Sequence, residues 1–197
     1  MMSDVDRRSL PDENEVRKIY AFANKWFSRA AWKSFPVVQQ RVQDSWDLLG
    51  PLTNLKIEDG HVNTVVETRV ERLVVQRLLH YAFDAISTPW KVGPTPASKI
   101  IHGLFPRLAV MWDEDIRWEI ANGETGYHYA YIFMPKMSNE LDEAVASCIR
   151  EMGDGKERAI SRIKAARGRN YSLAKMIDEF NWVTIRRKKR LRPYEGQ

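Results

Sequence analysis

The stretch PTPASKIIHGLFPRLAVMWDEDIRWEI, residues 94–120, brings several chemically capable side chains close together in the sequence. Lys99 offers an amine that can attack an electrophilic carbon, and Asp113 offers a carboxylate that can act as a base or stabilise positive charge. His102 follows Lys99 by three positions, so the two share one face of a helix. Lys99 and Asp113 are therefore the catalytic candidates.

Asp113 also has a structural interpretation. Asp113 and Asp115 are two positions apart, and side chains two apart on a helix diverge. If a helix begins after Trp112, Asp113 is its N-cap, and the next two carboxylates favour the positive end of the helix dipole. The sequence then predicts a buried Trp112 and an Asp113 that accepts backbone N–H bonds. His102 is expected to be a surface or capping residue.

Residues 92–116 resemble the helix-hairpin-helix region of DNA glycosylases. In the run VGPTPASKIIHGLFPRLAVMWDEDI, Gly93 matches a hairpin glycine whose amides face a DNA phosphate, Lys99 matches the catalytic lysine and Asp113 the catalytic aspartate. The resemblance implies glycosylase or lyase activity on DNA. The same run resembles a pattern in small bacterial and phage proteins, in which Ser-Lys, an apolar helix with a histidine, a proline and Trp-Asp follow one another.

The run departs from the glycosylase pattern in four ways. Lys99 lies six residues beyond Gly93, further than the family places it, and Met111-Trp112 replaces the proline before the aspartate. A second hairpin glycine is missing, and the spacing of fourteen residues from Lys99 to Asp113 is several residues short. We therefore expect a non-catalytic role, with Lys99 exposed to solvent and beyond hydrogen-bond reach of Asp113.

Positive charge is concentrated at the end of the chain. Residues 156–197 hold 13 Lys and Arg against 4 Asp and Glu, a balance of +9, whereas residues 1–155 hold 18 against 22, a balance of −4. The net charge of +5 is thus a property of the last fifth of the sequence. Such a concentration favours a polyanionic partner, either nucleic acid or an acidic protein surface.

Basic residues of this region are the candidate nucleic-acid contacts, and we expect them to position phosphates without reading bases. They are Arg158, Arg162, Lys164, Arg167, Arg169, Arg186, Arg187, Lys188, Lys189, Arg190 and Arg192. Trp182 lies among them and could stack on a base. However, its helix also carries Leu173 and Ile177, which favours a place for Trp182 in the core.

Other classes of site lack their sequence signals. The four histidines form no H-x-x-x-H pair, and the single cysteine cannot build a multi-cysteine zinc site, so no metal is predicted. A P-loop, a dinucleotide fingerprint and G-x-S-x-G are missing, so no cofactor is predicted. No apolar run approaches the length of a membrane helix and no signal peptide is evident, which favours a cytoplasmic protein without a membrane partner.

Apolar residues recur at helical spacing over most of the chain, which predicts an all-α, multi-helix single domain. The predicted helices cover residues 13–32, 36–49, 62–86, 98–105, 106–120, 127–134, 139–152, 156–169 and 173–182. Asp12 with Glu15, and later Ser172, are predicted N-caps. The segment 62–86 should be the central helix, although the β-branched run VNTVVETRV could instead be a strand.

The predicted organisation is a disordered N-terminus over 1–11, a helical domain over 12–183 and a basic extension over 184–197. The leading hypothesis is a helical protein that binds DNA or RNA through its basic C-terminal third, without catalysis. The first alternative is an assembly subunit whose extension meets an acidic protein. The second is a helix-hairpin-helix glycosylase or lyase that uses Lys99 and Asp113.

Overall fold

Amphipathic helices make up most of the structure, a computed structural model that describes residues 9–25, 30–89, 91–166 and 171–187. The α-helices are α1 (Glu13–Lys25), α2 (Phe35–Asp44), α3 (Trp46–Leu49), α4 (Val75–Ser87), α5 (Pro94–Leu104), α6 (Glu114–Ile120), α7 (Met134–Met152), α8 (Lys156–Ala166) and α9 (Leu173–Asn181). Two π-helical segments (His128–Phe133 and Trp182–Arg187) and a two-stranded hairpin complete the described elements, together with short 3-10 turns. The predicted all-α, single-domain fold is confirmed.

Helix α1 begins as the sequence predicts but ends earlier. Asp12 Oδ1 accepts the Glu15 N–H at 2.8 Å, and Glu15 Oε2 accepts the Asp12 N–H at 3.1 Å, which is a reciprocal capping box. The predicted extension of this helix to residue 32 is wrong, because residues 30 and 31 are not helical. Ala31 instead pairs with distant parts of the fold, since its carbonyl accepts the Tyr20 hydroxyl and its N–H donates to the Lys91 carbonyl.

The first half of the predicted central helix is a hairpin. Strands β1 (Val65–Glu67) and β2 (Arg72–Val74) pair antiparallel, with Val66 opposite Leu73, and α4 begins only at Val75. The Thr68 hydroxyl closes the turn by donating to the Glu71 carbonyl at 2.7 Å and accepting the Val70 and Glu71 N–H groups. β-branched side chains and this threonine turn therefore override the apparent helical periodicity.

The most enclosed helix is α5, not the predicted central segment 62–86. It packs against α1 on one side and α4 on another. Eight of its 11 residues are buried, including the polar Ser98, Lys99 and His102. Its position at the centre of the fold explains why side chains that looked surface-directed in the sequence lie in the interior.

Residues 106–113 do not form the predicted start of a helix. A turn covers 106–108, and the chain then runs extended and buried through Trp112 until α6 begins at Glu114. Leu108, Val110 and Trp112 are each fully buried. An extended segment can be enclosed here because side chains from neighbouring helices satisfy its backbone, as described below.

The helix predicted over 127–134 does not end before Pro135. The π-helical segment His128–Phe133 runs directly into α7, and Pro135 is the second residue of that helix. A proline inside a regular helix would clash with the preceding turn, and here that turn has the wider π geometry. Helix α7 then packs against α8, and both α7 and α9 contact the turn Ile57–Asp59.

Candidate nucleic-acid interface

The capping role predicted for Asp113 is confirmed. Asp113 Oδ1 accepts the Ile116 N–H at 3.1 Å, and Asp113 is the N-cap of α6. Trp112 is fully buried, with its ring edge-on to Phe83 and Tyr129. The carboxylate at the end of the polar stretch is thus used locally to start a helix.

Lys99 lies inside the fold, and the expectation that it is exposed is wrong. Its exposed fraction is 7%, because α5 is covered by α1 and α4. The neighbouring Ser98 hydroxyl accepts the Trp112 N–H at 3.2 Å and donates to the Trp112 carbonyl at 3.1 Å. These bonds join the residue before Lys99 to the residue before Asp113. The separation of the amine from the carboxylate stays a prediction.

Gly93 has the backbone freedom expected of a hairpin glycine. Its φ is +74°, in the region that favours glycine. Its N–H donates to the Ser87 carbonyl at 3.3 Å, and its carbonyl accepts the Ala97 N–H. Pro94 and Pro96 have no N–H to offer a phosphate. This turn therefore presents few amides to an anion.

The expectation that His102 lies at the surface or caps a helix is wrong, because this side chain holds the buried extended segment. Its Nδ1 lies 2.7 Å from the Ala109 carbonyl, which can only accept, so Nδ1 carries the proton. The pKa of His102 is lowered to about 4, mainly by burial, against the raising effect of the Ala109 carbonyl and with a smaller lowering effect of nearby Lys175. The Tyr129 hydroxyl likewise donates to the Val110 carbonyl at 2.8 Å. His102 and Ser98 thus satisfy backbone groups that would otherwise be buried without partners.

A buried charged pair on α9 was missed by the sequence analysis. Lys175 Nζ lies 2.6 Å from Asp178 Oδ2, and both side chains are largely enclosed. Burial raises the pKa of Asp178 against the opposing effect of Lys175, and the nearby Asp113 and Glu179 carboxylates raise it further. Nothing in the local pattern of α9 distinguishes these charges from surface ones, because only the fold turns this face inward.

Two of the three predicted phosphate contacts on α8 are already paired with carboxylates. Arg162 forms an ion pair with Asp154, and Lys164 Nζ lies 2.9 Å from Glu58 Oε1. Glu58 is buried, so Lys164 anchors α8 to the turn Ile57–Asp59. Arg158 is exposed on the same helix.

The remaining predicted contacts fall either at the end of the described chain or outside the described residues. Arg186 and Arg187 belong to the π-helical segment that follows α9. Arg167, Arg169, Lys188, Lys189, Arg190 and Arg192 lie outside the described residues.

Trp182 is not in the core, and the prediction that it would be is wrong. Its exposed fraction is 45%, and those of Phe180 and Val183 are 57% and 45%. The inward face of this helix is instead formed by Ile177 and Asn181. Three large apolar side chains are therefore exposed directly before the basic run that begins at Arg186.

A second surface feature, also missed from the sequence, is a row of aromatic rings between α4 and the first π-helical segment. His80 meets Tyr131 edge-on at 5.8 Å, Tyr131 stacks on Tyr127 at 5.4 Å, and Tyr127 meets His128 edge-on at 5.8 Å. His80 Nε2 lies 3.0 Å from Asp84 Oδ2 at one end of the row. Tyrosine-rich exposed surfaces are typical of protein contacts.

Comparisons of the chain with protein families, with curated proteins and with solved structures found no match. Among the helices of the described residues, none combines the length and apolar character needed to cross a membrane.

Proposed function

We propose that this chain binds nucleic acid, without catalysis, through its basic C-terminal third. The observation that carries the proposal is the charge distribution, +9 after residue 155 against −4 before it. Phosphate backbones attract such a surface over distances of about one Debye length, roughly 8–10 Å at physiological salt. DNA and RNA both present this charge, and the proposal covers both.

The basic run over 186–192 provides most of the available charge. It contributes six cations in seven positions. On α8, by contrast, Arg162 and Lys164 each share their charge with a carboxylate, which reduces their attraction for phosphate. The run therefore dominates the proposed binding, with Arg158 as a secondary contact.

We assign no chemical reaction to residues 94–120, the segment that contains Lys99 and Asp113. Lys99 is buried in α5, Asp113 caps α6, and His102 and Ser98 bond to the buried backbone. A glycosylase would instead need the amine and the carboxylate to open onto a cleft that admits a flipped nucleotide. These roles indicate that the polar side chains of residues 94–120 stabilise the fold.

Neutralising the run tests the proposal. Changing Arg186, Arg187, Lys188, Lys189, Arg190 and Arg192 to glutamine should weaken binding to single- and double-stranded DNA and RNA by a similar factor. The matched control removes six exposed cations elsewhere, at Lys18, Lys25, Lys33, Arg41, Arg77 and Lys136. Fluorescence anisotropy with labelled oligonucleotides measures both variants. Equal affinity of the two variants would contradict a special role of the run.

The aromatic row favours one alternative, an assembly subunit that meets an acidic protein. Tyr127 and Tyr131 are exposed aromatic side chains of the kind enriched in protein interfaces. Poly-glutamate is a simple probe of the electrostatic part of this alternative. Binding of poly-glutamate together with no binding of any oligonucleotide at low salt would replace the leading proposal with this one.

A further inference from the structure

The end of α9 and the start of the π-helical segment that follows it present three exposed apolar side chains, which we call the aromatic arc and define as Phe180, Trp182 and Val183. Phe180 and Val183 are about one helical turn apart, and Trp182 directly precedes Val183. The three side chains are therefore spread over about half of the helix circumference, with Val183 between Phe180 and Trp182. All three are at least 45% exposed. Large apolar side chains clustered on a surface commonly mark a binding site.

The opposite face of the same helix is fixed in the core. Asn181 Nδ2 donates to Glu140 Oε2 at 3.1 Å and to the Ile177 carbonyl at 3.1 Å, and it lies 3.3 Å from Met137 Sδ. Leu173, Ala174 and Ile177 of the same helix are buried in the core. The backbone that carries the aromatic arc is thus held in place, so a planar ligand would meet rings on a preformed support.

The positive charge that follows the arc in the sequence indicates the class of ligand. The run of six cations begins three residues after Val183. A partner that satisfies both features must combine a chain of negative charges with flat, apolar surfaces. The arc also includes residues of a π-helical segment, a rare geometry that is frequent at functional sites.

We infer that the aromatic arc stacks on unpaired bases, and that the preferred ligand of the C-terminal region is single-stranded nucleic acid. This inference rests on the proposed function. A single strand exposes base faces that can stack on Phe180 and Trp182 while its phosphates contact the cations of 186–192. A duplex hides those faces, so it can use the cations but not the rings. The arc therefore adds affinity for single strands alone, with little dependence on base sequence.

The test compares a single strand of about 20 nucleotides, longer than the site of one small binding module, with the duplex of the same length. Phe180→Ala and Trp182→Ala are measured singly by fluorescence anisotropy, with Tyr81→Ala as the control. Tyr81 is a similarly exposed aromatic residue, at 48%, on α4 and outside the arc. Each arc variant should weaken single-strand binding at least about fivefold and change duplex binding less than about twofold. The Tyr81 control should change neither.

Conservative replacements separate stacking from folding. Trp182→Phe and Phe180→Tyr keep a ring and should retain most single-strand affinity, whereas a purely structural effect of either site would appear in duplex binding as well. Circular dichroism of every variant checks that the helical content is unchanged.

The outcomes distinguish the inference from the proposed function. If both ligands bind, and Phe180→Ala and Trp182→Ala affect neither, the stacking inference is overturned while nucleic-acid binding stands. If neither ligand binds at low salt, both fail. Vesicles with anionic lipid form a further arm, because exposed aromatic residues beside cations also suit a lipid surface. Vesicle binding that depends on Phe180 and Trp182, without single-strand binding, would overturn both.

Discussion

Protonation of His102 should destabilise the fold as the pH falls below neutrality. The ring is buried against the Ala109 carbonyl, and burial lowers its pKa from 6.5 to about 4. In the unfolded chain the ring takes up a proton near its ordinary pKa, whereas in the folded chain it stays neutral until the pH is much lower. Between these two values, the unfolded state therefore binds more protons and is favoured by each step toward acid.

The magnitude follows from the two pKa values. One unit of pKa corresponds to about 1.4 kcal/mol, so the His102 contribution to the free energy of unfolding should be lower by about 2 kcal/mol at about pH 5 than at about pH 8. Near pH 4 the loss approaches about 3 kcal/mol, and it becomes constant below the folded pKa, where both states are protonated. This is a large part of the total stability of a small domain.

Titration of Asp178 changes the stability with pH in the opposite direction. The experiment must therefore separate the contribution of Asp178 from that of His102. Burial raises the pKa of Asp178, so the folded state takes up this proton first and is stabilised as the pH falls. His102→Asn removes the imidazole titration but keeps a nitrogen that can donate to the Ala109 carbonyl. The contribution of Asp178 is present in both proteins and cancels in the difference.

Urea unfolding at several pH values between about 8 and 4 supplies the free energies. The difference in stability between the parent chain and His102→Asn should shrink by about 2 kcal/mol as the pH falls from about 8 to about 5. A difference that stays constant over that range would refute the argument, because His102 would then titrate alike in the folded and unfolded states.

Substitutions at three further sites test individual contacts by their effect on urea unfolding. Asp113→Ala should cost about 0.5–2 kcal/mol through loss of the α6 cap, and Asp113→Asn, which can still cap, should cost less. Lys164→Ala leaves the buried Glu58 carboxylate without its partner and should cost about 1–3 kcal/mol. Gly126→Ala would place a methyl group 2.5 Å from Asp84 Oδ1 and 2.8 Å from the His80 backbone carbonyl oxygen on α4. We therefore expect the free energy of unfolding to fall by about 1–3 kcal/mol. Wild-type stability in Asp113→Ala, Lys164→Ala or Gly126→Ala would contradict the contact that the substitution tests.

Local signals in the sequence predicted the caps correctly. Asp12 with Glu15, Asp113 and Ser172 each accept the predicted backbone N–H, and all three precede an amphipathic run. A cap depends on residues within one turn, so nothing distant alters it. The helical fold class followed from the same periodicity.

The predictions that failed depend on packing between distant segments. The hairpin over 65–74 needs β1 and β2 to pair, and apolar periodicity alone did not separate it from the start of α4. Enclosure of Lys99 and His102 requires α1 and α4 to cover α5, which the sequence of α5 does not reveal. Trp182 shares a helix with core residues, but the fold directs Asn181 inward and leaves the indole exposed.

The candidate interface could be predicted in its charge but not in its geometry. The basic run is visible in the sequence alone, whereas the pairing of Lys164 with Glu58 joins residues more than a hundred positions apart. The exposure of Phe180 follows from how α9 is rotated against α7. That rotation is fixed by the contact of Asn181 with Glu140, again a distant pair.

The salt dependence of binding tests the central proposal most directly. Affinity for a single strand should fall linearly with salt on logarithmic axes, with a slope of about −0.7 for each phosphate neutralised. Replacing the six cations of 186–192 with glutamine should make that slope shallower by up to about 4, while the six-site control at Lys18, Lys25, Lys33, Arg41, Arg77 and Lys136 keeps the parent slope. A parent slope near zero, or the same slope in both variants, would contradict nucleic-acid binding through the basic C-terminal third.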